Sequence, residues 1–354
     1  MKFETVGFKR AMLQQFIEFF VSPGNGGVPF FETIVLAFNH LPENDPFLRL
    51  LVDVYCRNYD PANDSDRELR DRKNLPHDFL LRVMLRYSES CRCLRASLDM
   101  NDYKLDRMVE DADTERTHVT PIKALLRENV IKVEIGPNHT EYYVHPRLLF
   151  HYSEYFKRAL NGSWKEAEDW VIMLEDVECQ TFEIFLEWLY SQQYPKDHRF
   201  GSANQNRTKR LGRVKACAFG DRLMAPAFRA ASESALIDDL VLKGGTPFYE
   251  LIIYAYGNLP SDSPVLHALV DAHCYGFTET ADTDKNGELV RRSELPQAFL
   301  VEVMVRYMRL QPAMSSRKRL DRCDYHGHAP EERKGQSCQV PRIDDFKGDL
   351  SKKF

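Results

Sequence analysis

The chain has 354 residues, 43% of them apolar, and a formal charge of −5, which allows two or three ordinary domains with real cores. Its Lys and Arg residues are scattered, so neither a nucleic-acid face nor a polyacidic tail is expected, and no apolar run reaches the ~18 residues of a membrane span. The apolar start is interrupted by Glu18 and no small-residue cleavage site follows, so a cytoplasmic and/or nuclear setting with reduced cysteines is the expectation, in which the sequons at Asn63, Asn138, Asn161 and Asn206 are incidental.

Residues 1–97 read as a helical region. PFFETIVLAFNHLPENDPFLRLLVDVYC (29–56) and LPHDFLLRVMLRY (75–87) carry apolar residues at helical spacing, with Leu-Pro and Asp-Pro pairs as turns. Gly24–Gly27 lacks the following Lys-Ser/Thr of a phosphate loop and reads as a turn. Residues 98–120 form an acidic linker.

From Ile131 the period changes. Val133 and Ile135 alternate with Lys132 and Glu134, a turn follows at Gly136–Asn138, Tyr142 to Val144 form a second short strand, and Val171 to Leu174 a third. Pro146 is placed to open a helix at its first position, and Leu148, Leu149, Tyr152, Tyr155, Phe156 and Leu160 predict one helix through that segment. A second helix carries Phe182, Phe185, Leu186, Leu189 and Tyr190.

This order, with Gly136, Val144, His145, Leu148, Leu149, Ser153, Tyr155, Phe156 and Leu160, then Trp164, Glu166, Ala167 and Glu168, then Phe182, Phe185, Leu186, Trp188, Leu189 and Tyr190, resembles a BTB/POZ domain of the fungal type over residues 129–195. The resemblance implies an α+β fold, a small mixed sheet flanked by helices, with mostly α-helical regions before and after it. It also implies a non-enzymatic scaffold or adaptor whose partners are proteins. In cullin-based ubiquitin ligase adaptors an apolar-x-acidic triplet in this loop touches the cullin, so Trp164 and Glu166 become candidate partner-binding residues, while in other members the aromatic only packs under the helix. The family's dimer-pocket positions fall on Asn129 or Val130 and Pro146, uncharged here, which points away from an obligate dimer and leaves room for weak self-association only. His145 is expected to be a satisfied structural residue.

The expected domains are thus 121–196 for the BTB/POZ module, 197–208 for a loop, 209–312 for a BACK-like helical region and 313–354 for a polar tail. Residues 215–232 resemble the first helices of that region, with Asp221 in their turn. The helical region repeats the first one: residues 29–56 lie over 247–274, and 75–87 over 295–307. Residues 1–97 therefore look like a partial second copy joined through fusion or a misjoined gene.

Chemistry is sparse. Asp282, Asp284, Asn286 and Gly287 open like a calcium loop, but its twelfth position is Ser293, so a polar loop is expected. Cys323, His326, His328 and Cys338 have the residue types and spacing that suit tetrahedral zinc, against an incidental grouping in a reduced tail. Arg207, Lys209, Arg210, Arg213 and Lys215 fit a nuclear signal, as in a nuclear transcriptional co-regulator, or, preferably, the wet face of a helix. No nucleophile–base motif is present, so an enzyme is the least expected class and no other cofactor is called for.

Overall fold

A proline and short polar caps start the second and third helices. In the computed structural model, which describes residues 15–16, 19, 27–90, 130–161, 171–195, 205–279, 282–283 and 287–310, α1 spans Phe31–His40 and α2 Pro46–Asn58. Pro46 gives up no hydrogen bond at the first helical position, and the Asp45 carboxylate before it accepts from the Phe47 N–H at 3.0 Å. Ser65 and Glu68 form a reciprocal capping box at the head of α3 (Asp66–Asp71). A 3₁₀ turn leads to α4 (His77–Ser90), whose Phe79, Leu80, Val83, Met84 and Tyr87 are all buried.

The sheet comes from period-two sequence. Ile131, Val133 and Ile135 of β1 (Ile131–Ile135) point into the core. It pairs antiparallel with β2 (Thr140–Val144), Lys132 opposite Tyr143, and parallel with β3 (Val171–Leu174), Val133 opposite Ile172. The order is β2-β1-β3. Gly136 makes the turn after β1 at φ +73°, left-handed backbone that costs glycine little.

Between β2 and β3 the single expected helix is two, α5 (Pro146–Tyr152) and α6 (Glu154–Asn161), broken at Ser153 in extended backbone. The buried Ser153 Oγ donates to the Leu223 carbonyl at 2.6 Å and accepts from the Phe156 N–H at 3.3 Å, so it caps α6 and bonds a distant turn at once. After α7 (Cys179–Ser191) comes α8 (Gln205–Arg222), which starts inside the segment expected as a 197–208 loop. Then α9 (Pro226–Lys243), α10 (Tyr249–Asn258), α11 (Pro264–Gly276), the short α12 (Glu288–Arg291) and α13 (Gln297–Leu310) complete the described elements. A Cβ on Gly220 would lie 2.9 Å from the Arg229 Cα, so α8 and α9 meet where only glycine fits.

The described residues fall into two compact units, one drawn from 1–94 and 300–354 and the other from 95–299. In the first, Tyr55 stacks on Tyr59 at 4.4 Å between centroids, with Phe79 edge-on at 5.1 Å and Phe31 at 6.3 Å. The Tyr59 hydroxyl donates to Asp64 at 2.7 Å, and Arg72 pairs with the same carboxylate. The second unit has its own quartet: His273 stacks on Phe277 at 4.5 Å, with Phe299 edge-on at 5.3 Å and Tyr249 at 6.3 Å. Here Tyr249 donates to Asp282 at 2.5 Å and Arg292 pairs with that carboxylate at 2.6 Å. Asp282, first of the calcium-loop-like residues, is thus held by chain partners.

Candidate interaction surface

The core of the three-stranded module is completed from outside its own sheet. Ala216 and Phe219 of α8, Leu223 and Ala225 of the turn, and Phe228 of α9 join Val133, Leu149, Phe156, Phe185 and Trp188 in one buried cluster. Phe185 meets Phe228 edge-on at 5.1 Å and Phe219 at 5.9 Å, and Trp188 lies 5.3 Å from Phe228. Backbone N–H groups of Glu154 and Tyr155 donate to the Met224 and Leu223 carbonyls, both at 3.3 Å, so the head of α6 is fastened to the α8–α9 turn. Ser153→Ala is expected to lower stability by about 1–3 kcal/mol in urea unfolding, because it removes a buried donor from the Leu223 carbonyl.

His145 ends β2 and precedes α5. Its N–H donates to the Tyr190 hydroxyl oxygen at 3.2 Å, and its Nδ1 lies 2.8 Å from the same oxygen. Burial raises the Tyr190 hydroxyl above its usual range. His145 is half-buried and hydrogen-bonded, a structural residue at the helix start.

Among the described residues two surfaces of the second unit are open. The outer sheet face presents Tyr143, 60% exposed, and Met173, 56% exposed, with Val171 beside them. Between these runs a charged strip in which Lys132 bridges Glu134 at 2.7 Å and Glu141 at 3.1 Å, and the Tyr143 hydroxyl donates to Glu141 at 2.8 Å. Those hydrogen bonds hold the Glu134 and Glu141 carboxyls below the usual range. An aromatic and a thioether flanking a polar strip is the make-up of a protein-binding face. The other surface is a cleft of about 470 Å³ between the β3–α7 turn and helices α8 and α10. Its mouth is charged and internally paired: Arg222 grips Asp176 through two bonds of 2.5 and 2.9 Å, and Lys215 pairs with Glu178. The bond from Arg222 holds the Asp176 carboxyl low. Phe219 and Tyr254 are among its lining residues.

The basic run is placed differently from the solvated helix face expected of it. Lys209, Arg210 and Arg213 are buried and converge on Asp239 of α9, at 3.3, 2.8 and 3.1 Å, while Arg207 pairs with Glu250 and Glu288. Spacing along α8 could not show this, since the shared carboxylate stands on another helix. Trp164 and Glu166 lie outside the described residues, as do Cys323, His326, His328 and Cys338. Among the described residues no group of three His, Cys, Asp or Glu could hold a metal ion, and no helix is long and apolar enough to cross a membrane.

Residues 125–207 match the BTB/POZ domain family. Together with the small mixed sheet and its helices this gives an α+β chain carrying a BTB/POZ domain, a module that mediates protein–protein interaction. None of the curated proteins matches the chain.

Proposed function

We propose that the chain is a non-enzymatic scaffold or adaptor that binds protein partners through its BTB/POZ module. The observation that carries this is the shared core: Phe219, Leu223 and Phe228 close the module against α8 and α9, so a partner on the module is held at a fixed position relative to those helices. Affinity purification of the full chain with mass spectrometry tests it. A partner set that shrinks when Tyr143→Ala and Met173→Ala strip the outer sheet face supports binding there; an unchanged set removes that face.

The more specific role is substrate adaptor of a cullin-based ubiquitin ligase, resting on the Trp164-x-Glu166 triplet. It expects cullin among the captured proteins, lost on Trp164→Ala with Glu166→Lys; capture that survives both changes ends it. A nuclear co-regulator reading is less well supported, because three cations of its targeting run are buried against Asp239, where a carrier has no access to them.

A further inference from the structure

We infer that the buried face of α13 from Leu300 onward is a self-complementary docking surface whose occupant, α4, is a duplicate of it, so that one chain carries both halves of a two-fold helix contact. The contact lies within one compact unit, formed by α4 and the stretch of α13 from Leu300 onward. The Tyr87 ring packs on the Tyr307 ring at 5.6 Å between centroids, and the Tyr87 hydroxyl also reaches the Met308 sulfur. Tyr87 and Tyr307 are the same position of the two matching segments, LPHDFLLRVMLRY and LPQAFLVEVMVRY. Like residue facing like residue at matching positions is what a local two-fold axis produces.

The duplication itself rests on more than sequence. The ring quartets Phe31–Tyr55–Tyr59–Phe79 and Tyr249–His273–Phe277–Phe299 occupy matching positions, and Asp64–Arg72 and Asp282–Arg292 close them in the same way. The hydroxyl that reaches the aspartate has changed rings: it comes from Tyr59 in the first set, where Phe31 has none, and from Tyr249 in the second, where Phe277 has none. A role kept while its residue moves is the trace of one ancestral unit with compensating changes. The two helices also bury Phe, Leu, Val, Met and Tyr in the same order, Phe79 to Tyr87 and Phe299 to Tyr307.

One buried position breaks the symmetry. Ser88 matches Met308, and both are buried. Under a two-fold, Met308 against Tyr87 is mirrored by Ser88 against Tyr307, so a large residue on one side is balanced by a small one on the other. The test is a reciprocal exchange in the full chain. Ser88→Met alone overpacks the contact and Met308→Ser alone opens a void, each expected to lower Tm by about 5 °C. Together they rebuild the same contact with its sides exchanged, and Tm is expected to return to within about 2 °C of the parent. Recovery of less than half of the summed loss, or single changes that leave Tm where it was, would overturn the inference. Should a single variant fail to fold, a folded double variant supports it and a double that also fails sinks it.

Discussion

Replacing Asp239 by Asn is expected to destabilise the unit drawn from residues 95–299 by about 3–5 kcal/mol, the usual loss when one partner of a buried ion pair is removed. Asp239 is 1% exposed at its side chain and takes contacts from Lys209, Arg210 and Arg213, which are 3%, 7% and 9% exposed. Arg210 adds bonds to the Asp239 and Gly244 carbonyls at 3.2 and 2.7 Å, so its guanidinium is fixed in place. Asn keeps the shape of the site but leaves these cations without the charge they converge on. Lys243, at 2.8 Å but 44% exposed, is the internal contrast: Lys243→Met should stay within about 1 kcal/mol of the parent, as surface pairs do. Urea unfolding at neutral pH compares the two, and a loss at Asp239 no greater than at Lys243 would show that the cluster is not structural.

Acid gives the same site a second signature. Burial by itself would raise the Asp239 carboxyl; the bonds from Arg210 and Lys243 and the charges of Arg210 and Arg213 outweigh it and hold the group well below the usual carboxylate range. A depressed carboxylate contributes stability that is present above its unfolded value, about 3.9, and is lost as pH falls below it. The gap between parent and Asp239→Asn should therefore hold steady down to about pH 4 and narrow beyond that. The network matters for the module because its three cations stand on α8, the helix that also delivers Ala216 and Phe219 to the BTB core.

What the sequence shows and hides follows the range of the interaction. β1, β2, β3 and the prolines that open α2, α5, α9 and α11 are local signals, and their alternation or fixed φ is visible residue by residue. The break at Ser153 is not, because its hydroxyl bonds a carbonyl far along the chain at Leu223; with apolar spacing unbroken from Leu148 to Leu160, one helix was the only local reading. The burial of Lys209, Arg210 and Arg213 is hidden for the same reason, since a cation on a helix reads as solvated until its counter-charge is placed. The candidate site is legible as a class of module from the residues of 125–207. The exposed Tyr143 and Met173 could have been marked as outward by their alternation with the partly buried Tyr142 and the buried Val144, Ile172 and Leu174, yet nothing local says that this face stays uncovered.

Acidification should weaken the helical part well before Asp239 is protonated, and His273 is the reason. It is fully buried among Tyr249, Phe277 and Phe299, and neither ring nitrogen has a hydrogen-bond partner among the described residues. Burial alone pushes its pKa down from 6.5 to about 3. In the unfolded chain the imidazole takes up a proton near pH 6.5 while the folded protein refuses it, so the unfolded state binds more protons and stability falls as pH drops. The full contribution is present above pH 6.5; by linkage about 2 kcal/mol is gone at pH 5 and about 3 at pH 4. His273→Phe removes the titration and also the two unpaired buried nitrogens, so at pH 7 it should match the parent or exceed it by about 1 kcal/mol. Between pH 6.5 and 4 its stability curve should lose that slope, leaving the later fall that belongs to Asp239 and the other carboxylates held low. Urea unfolding of both proteins across that range measures the difference in slope, and parallel curves would mean that His273 takes up its proton without opening the ring cluster. Tyr55, the residue at the centre of the first quartet, bears on the same point: it cannot take up a proton in this range, so the acid sensitivity is expected of the His273 cluster and not of its counterpart.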